Sequence, residues 1–204
     1  MKYEVISTGS KGNCVLLCDG KIMVDCGVPF KNIKSKLYDV EVLLLTHIHS
    51  DHIREATLNN IKKMFPHITI IGNYEVHQYY EVDLICNADF KIETKGYEFQ
   101  PFECKHDVLT YGFVWEYEGD TIIYATDTST LENAPKIKYD YMFLESNHDE
   151  KKIEQIVNIK SYGYNAYAGA KRHLSTQQCK AFYYMQRRNE NSVLEELHMS
   201  SRFY

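Results

Sequence analysis

An uninterrupted apolar run, Val42 to Leu45, gives way at once to Thr46, His47, His49, Asp51 and His52. Four residues are too few for a buried helix and read as a strand covered on both faces. One histidine after such a strand is explained by a solvated loop; three imidazoles and a carboxylate within six positions are not. In an extended strand end His47, His49 and Asp51 share one side, because side chains alternate with period two. His52 opens the next element and approaches from its own angle. Neutral imidazoles and carboxylates suit zinc, iron or manganese. Four such groups exceed the share one metal usually takes from one segment. The pattern therefore points to two metals, His47 and His49 serving one, Asp51 and His52 the other.

With 204 residues, 44% hydrophobic and 25% charged, the chain has the composition of one substantial globular core, and a single domain over 1–204 is expected. No apolar run is long enough to span a bilayer, and "MKYEVISTGS" lacks a signal-peptide core, so the expectation is a cytoplasmic protein without membrane contact. The six cysteines show no CxxC spacing and sit partly inside apolar runs such as "CVLLC" and "MVDC", which fits reduced, partly buried thiols better than disulfides. A net charge of −5 weighs against a sequence-independent grip on a long polyphosphate. It does not weigh against a small anion held by a metal.

Short strand-like runs fill the first third, with a turn-rich "TGSKGN", a "DG" hairpin signal at Asp19-Gly20 and a helix start at Gly27 to Pro29 that "FKNIKSKL" can continue. "REATLNNIKKMF" carries helical spacing and 74–80 reads as a second helix. Strand-like runs recur from 83 to 126, and the last third alternates strands and helices, including a helix capped by Ser175. The sum is an α/β (α+β) chain without repeats or linkers.

"THIHSDH" resembles the hallmark motif of the metallo-β-lactamase superfamily. That resemblance implies an αββα sandwich with two divalent metals at the sheet edges, zinc favoured and manganese also suited. It further implies a ligand at His106 ("FECKHDV") and a metal-bridging carboxylate at Asp127 ("TIIYATDTS", with Thr126 where the family commonly has Gly). A last ligand at His198 ("LEELHMSSRFY") is implied too, with His173 competing for that place. Asp25 ("IMVDCG") matches an early aspartate that supports the site without binding metal.

The segments "RHLSTQQCKAF" and "HMSSRFY" resemble those of RNase Z, and by that match His173 becomes a candidate proton donor; Asp51, expected as a metal ligand, is the other candidate catalytic residue. Ser200, Ser201 and Arg202 become candidate phosphate-side or structural partners, and Lys171 and Arg172, adjoining His173, are candidate phosphate contacts or plain surface charges. Arg172 stands where that family has Gly. "GSKGN", "LESNHDEKKI" and "HLS" resemble a small bacterial exonuclease-like branch, and His148 in the second of these reads as a neighbour of a helix cap. RNase Z carries a tRNA-gripping arm between the His106 and Asp127 motifs, and the short spacing here leaves no room for one. An arm-less relative of this kind is similar to anti-Pycsar phosphodiesterases that hydrolyse cyclic nucleotides. The implied activity is a binuclear-metal phosphodiesterase, cyclic nucleotides first, with a nuclease acting on RNA or DNA as the runner-up. A thioester or lactone hydrolase and a non-catalytic binder are weaker rivals. The tyrosines of "YGYNAYAG" can stack a base, although a plain aromatic surface or subunit contact explains them too. The resembling families imply a homodimer.

Overall fold

The apolar run 42–45 is a strand buried along its whole length, and its alternate residues feed two different cores. Leu43 and Leu45 pack under helices, whereas Val42 and Leu44 face a second sheet. Burial on both faces is why the strand shows no polar alternation. The computed structural model describes residues 1–156 and 166–200.

The first sheet joins β1 (Glu4–Ser7), β2 (Cys14–Leu17), β3 (Ile22–Val24), β4 (Val42–Leu45), β5 (Thr69–Gly72) and β6 (Leu84–Ile85) in chain order. Pairing is antiparallel up to β3 and parallel from β3 onward. The second sheet runs from β7 (Ile92–Thr94) through β8 (Tyr97–Cys104), β9 (Thr110–Tyr117) and β10 (Asp120–Ala125) as an antiparallel meander. It continues in parallel through β11 (Tyr141–Glu145) to β12 (Val193–Leu197).

Three helices, α1 (Phe30–Ile33), α2 (Glu55–Met64) and α3 (Tyr74–Tyr80), accompany the first sheet, and Ile33, Leu58, Ile61 and Val76 join Leu43 and Leu45 in its outer core. Helices α4 (Glu150–Ile156), α5 (Ala166–Ala170) and α6 (Thr176–Gln186) follow β11. Cys179 and Phe182 of α6 cover Ile123, Ala125, Met142 and Leu144 of the second sheet. Between the sheets lie Phe99, Trp115, Tyr124 and Phe143. Helix, sheet, sheet, helix is the expected αββα layering.

Local chemistry fixes the connections. The β9–β10 turn places Glu118 and Gly119 at φ +52° and +88°, with Tyr117 paired to Asp120, the two-residue hairpin that calls for glycine. Ser175 and Gln178 close a reciprocal capping box at α6. Two local expectations fail. Asp19-Gly20 forms a one-turn 3₁₀ segment rather than a two-residue hairpin, with Asp19 at φ +56°. The helix expected over 30–37 stops at Ile33, although Ile33, Leu37 and Val40 still reach the core. All six cysteines are unpaired and buried, and burial pushes the Cys18 thiol up to about 12. Among the described residues no helix is long and apolar enough to cross a membrane.

Parallel neighbours end at the same edge. Asp25 after β3, the His47–His52 loop after β4, Asp127 after β10, Glu145 at the end of β11 and His198 after β12 therefore meet where strand carboxyl ends gather.

Candidate metal centre

Asp25 is fully buried at φ +59°. Its carboxylate accepts hydrogen bonds from the Thr46 backbone N–H (2.9 Å) and hydroxyl (2.9 Å), and from His52 Nδ1 at 2.6 Å. With the Thr46 hydroxyl donating to Asp25, His47 Nδ1 donates to Thr46 Oγ1 at 3.0 Å. Both rings are thereby held by their Nδ1 edge, and the Nε2 edge of each is left for the centre.

The second sheet builds a matching support that no single motif announces. Glu145 is fully buried, and one of its oxygens accepts from His173 Nδ1 (2.7 Å) and His198 Nδ1 (2.9 Å). The other oxygen accepts from the Thr128 and Leu174 backbone N–H groups at 2.8 and 3.3 Å. Glu145 closes the apolar strand "YMFLE" within "LESNHDEKKI", a segment whose resemblance assigns it no role. Asn13 was passed over as a turn former; its side-chain nitrogen lies 2.8 Å from His52 Nε2 and its backbone N–H donates to Asp51 O at 2.6 Å.

Donor atoms fall into overlapping sets, each within 4.8 Å: His47, His49 and His106; His47, His52 and Asp127; Asp51, His52 and His198; and Asp127, Glu145, His173 and His198. Asp127 belongs to two of them, with Oδ2 2.7 Å from His52 Nε2 and Oδ1 3.8 Å from His106 Nε2. Of the two histidines that competed for the last place, His198 comes within reach of Asp51 and His52, while His173 is grouped with the carboxylates. Asp127 and His198, like Asp25, hold left-handed backbone at φ +53° and +56°, a conformation that costs energy outside glycine and clusters at working sites.

These residues suit divalent cations. His47 Nε2 and His198 Nε2 are buried and have no hydrogen-bond partner, and the His47 and His52 ring centres lie 4.1 Å apart. Buried imidazole nitrogens without a hydrogen-bond donor call for a Lewis acid, and a nitrogen–oxygen donor set is that of zinc or manganese. Burial drives the His47 pKa well below the ordinary histidine value. Burial also opposes the charged forms of His52 and Asp127, yet their mutual attraction wins, raising His52 and lowering Asp127. In the Glu145 group, burial is again outweighed: the shared hydrogen bonds raise His173 and His198 and lower Glu145.

The expected substrate contacts are placed less uniformly. Lys171 is exposed, its ammonium 5.3 Å from the centre of the Tyr167 ring. The Ser200 N–H donates to Asn147 O at 2.8 Å. Ser201, Arg202 and, of the "YGYNAYAG" tyrosines, Tyr162 and Tyr164 lie outside the described residues. His148 is buried, its carbonyl accepting from Thr176 N–H, beside an Asp149 whose side chain accepts from Lys152 N–H at the start of α4.

Comparison with known proteins adds three findings. A family model described as a beta-lactamase superfamily domain matches residues 21–155. An exodeoxyribonuclease, WalJ, of Streptococcus pneumoniae is 39% identical over 61 residues, a match covering 26% of this chain and 23% of that protein. The fold is similar to that of the metallo-beta-lactamase fold protein YhfI from Bacillus subtilis and of the short form of human tRNase Z. Each is 15% identical at a TM-score of 0.72; the matches cover 98% and 99% of this chain, and 86% and 94% of those structures.

Proposed function

The chain belongs to the metallo-β-lactamase superfamily, and from that premise we propose that it is a two-metal phosphodiesterase acting on nucleotide phosphodiesters. One observation carries the reading: two donor sets, His47/His49/His106 and Asp51/His52/His198, converge on either side of Asp127. Zinc is the cation we assign to them, with manganese suited by the same donors. A homodimer, as in the resembling families, belongs to this reading.

Divalent cations held by such a set lower the pKa of water toward neutrality and stabilise charge on a phosphoryl group. The remaining chemistry falls to the chain. Asp25 and Thr46 fix His47 and His52 with Nε2 inward. Glu145 holds His173 by Nδ1 and favours its protonated form, leaving a proton on Nε2. With its side chain 19% exposed, His173 is the histidine of the Glu145 pair more open to substrate, His198 being 9% exposed. It donates that proton to the departing oxygen, a role worth about 10²–10⁴-fold.

That role makes a specific forecast. His173→Ala leaves metal content intact by elemental analysis and lowers kcat by about 10²–10⁴-fold on a dinucleotide, whose alkoxide needs a proton. On bis-p-nitrophenyl phosphate, whose phenolate leaves unaided, the loss is much smaller. Equal losses on both substrates, or loss of metal, would remove the acid role from His173.

Two substrates fit, and each has an observation behind it. The end of a nucleic-acid strand is supported by the partial likeness to an exodeoxyribonuclease. A cyclic mononucleotide is supported by the single tight hairpin that lies between His106 and Asp127, which offers no arm for a long substrate. The test is turnover of bis-p-nitrophenyl phosphate, abolished by a chelator and restored by zinc or manganese. A panel of cyclic mononucleotides against labelled DNA and RNA then separates the substrates. Turnover that survives complete metal removal would overturn the proposal.

A further inference from the structure

Asp107 and Arg172 form an ion pair beside the donor cluster. One Asp107 oxygen lies 3.1 Å from His106 Nε2 and 3.5 Å from His49 Nε2, and the other accepts from Arg172 Nη1 at 3.1 Å. The two side chains are 42% and 58% exposed. An exposed pair of this kind contributes at most about 1 kcal/mol to stability, so folding alone gives little reason to place it here. Its position gives a better one. Asp107 sets a negative charge beside the donor cluster, where an anionic substrate arrives, and unpaired it would repel that substrate. Arg172 offsets the charge.

Arg172 is also held in place from behind. Its backbone N–H donates to Gly169 O, and the next residue, His173, is anchored to Glu145. Only one arm of the guanidinium fork is engaged by Asp107. The rest is the planar donor array that matches a phosphate. Because Asp107 stands between the guanidinium and His49 and His106, Arg172 cannot meet the phosphate under attack without giving up its partner.

Resting on the phosphodiesterase reading, we infer that Arg172, braced by Asp107, binds a second phosphate adjacent to the scissile one. The substrate is then a nucleic-acid strand or a phosphorylated strand end, not a cyclic mononucleotide with its single phosphate. The specificity resides in a residue that stands where the RNase Z-like pattern has glycine.

Calorimetric titration of the metal-loaded protein with thymidine 3′,5′-bisphosphate and with thymidine 5′-monophosphate tests this without turnover. A charged hydrogen bond to phosphate is worth about tenfold or more in affinity, and the wild type is expected to prefer the bisphosphate by at least that factor. In Arg172→Ala the ratio falls to near one, and in Arg172→Lys, which keeps the charge but loses the fork, it is intermediate. A wild type without preference, or an Arg172→Ala protein that keeps the wild-type ratio, overturns the inference. Bis-p-nitrophenyl phosphate, with one phosphate, separates it from the broader reading. Turnover without a bisphosphate preference removes only the second-phosphate site. A preference that Arg172→Ala abolishes, in a protein without turnover, keeps that site and removes the phosphodiesterase.

Discussion

Asp127→Ala is expected to lower phosphodiester turnover by roughly 10³–10⁴-fold, the several kcal/mol that cation chemistry supplies, and to reduce bound metal at the same time. The reason is position. Asp127 Oδ2 lies 2.7 Å from His52 Nε2 and Oδ1 lies 3.8 Å from His106 Nε2, so one carboxylate lies beside a histidine of each donor set. It is buried, and β10 delivers it in left-handed backbone at φ +53°. Its charge also offsets the burial of His52, whose pKa it helps to raise. Asp127→Asn separates charge from shape, because the amide fills the same space and offers one oxygen. Metal stoichiometry in Asn should therefore lie between wild type and Ala, with turnover nearer Ala. Elemental analysis and bis-p-nitrophenyl phosphate kinetics on the three proteins decide the matter. An Asp127→Ala enzyme within tenfold of wild type, with full metal, would end the bridging role.

Much of this centre could be read from the chain because its parts sit where strands end. The loop after Leu45, Asp25 after Val24 and Asp127 after Ala125 each follow an apolar run, and a donor at the edge of a buried strand has few structural reasons to be there. Glu145 was harder. It too ends a strand, and it lies within "LESNHDEKKI", but neither context reveals its partners His173 and His198, which are 28 and 53 positions away. The parallel pairing of β10, β11 and β12 brings them together, and parallel pairing depends on crossovers rather than on local pattern. Lys171 and Arg172 show the same limit. Both adjoin His173 in sequence, yet one lies over Tyr167 and the other reaches Asp107. Adjacency along the chain did not say which of them faces the site.

Gly27 is the residue whose sequence reading and structural role diverge most. In sequence it opens a helix ahead of Pro29; in the structure it lies beneath the histidine loop. A Cβ added there would lie 1.8 Å from Asp51 O and 2.9 Å from Asn13 N, distances no packing allows. The close approach is built from three laced segments. Asn13 N–H donates to Asp51 O, Gly27 N–H to Asn13 O, and Cys26 N–H to His52 O, at 2.6, 2.9 and 2.8 Å. An added methyl meets backbone, which cannot rotate aside as a side chain can, and the atoms it meets carry Asp51 and His52. Gly27→Ala is therefore expected to cost about 3 kcal/mol, the upper end of the usual overpacking range. For a chain of this length that lowers Tm by roughly 6–12 °C, and the donor set holding Asp51 and His52 loses metal before the set holding His47, His49 and His106. Gly169→Ala is the matched control, since a Cβ there meets nothing within 4 Å and the residue lies in α5, where alanine favours the helix. Melting curves with elemental analysis read both variants. A Gly27→Ala protein that melts with the wild type and keeps full metal would show that the close contact beneath the histidine loop does not position its ligands.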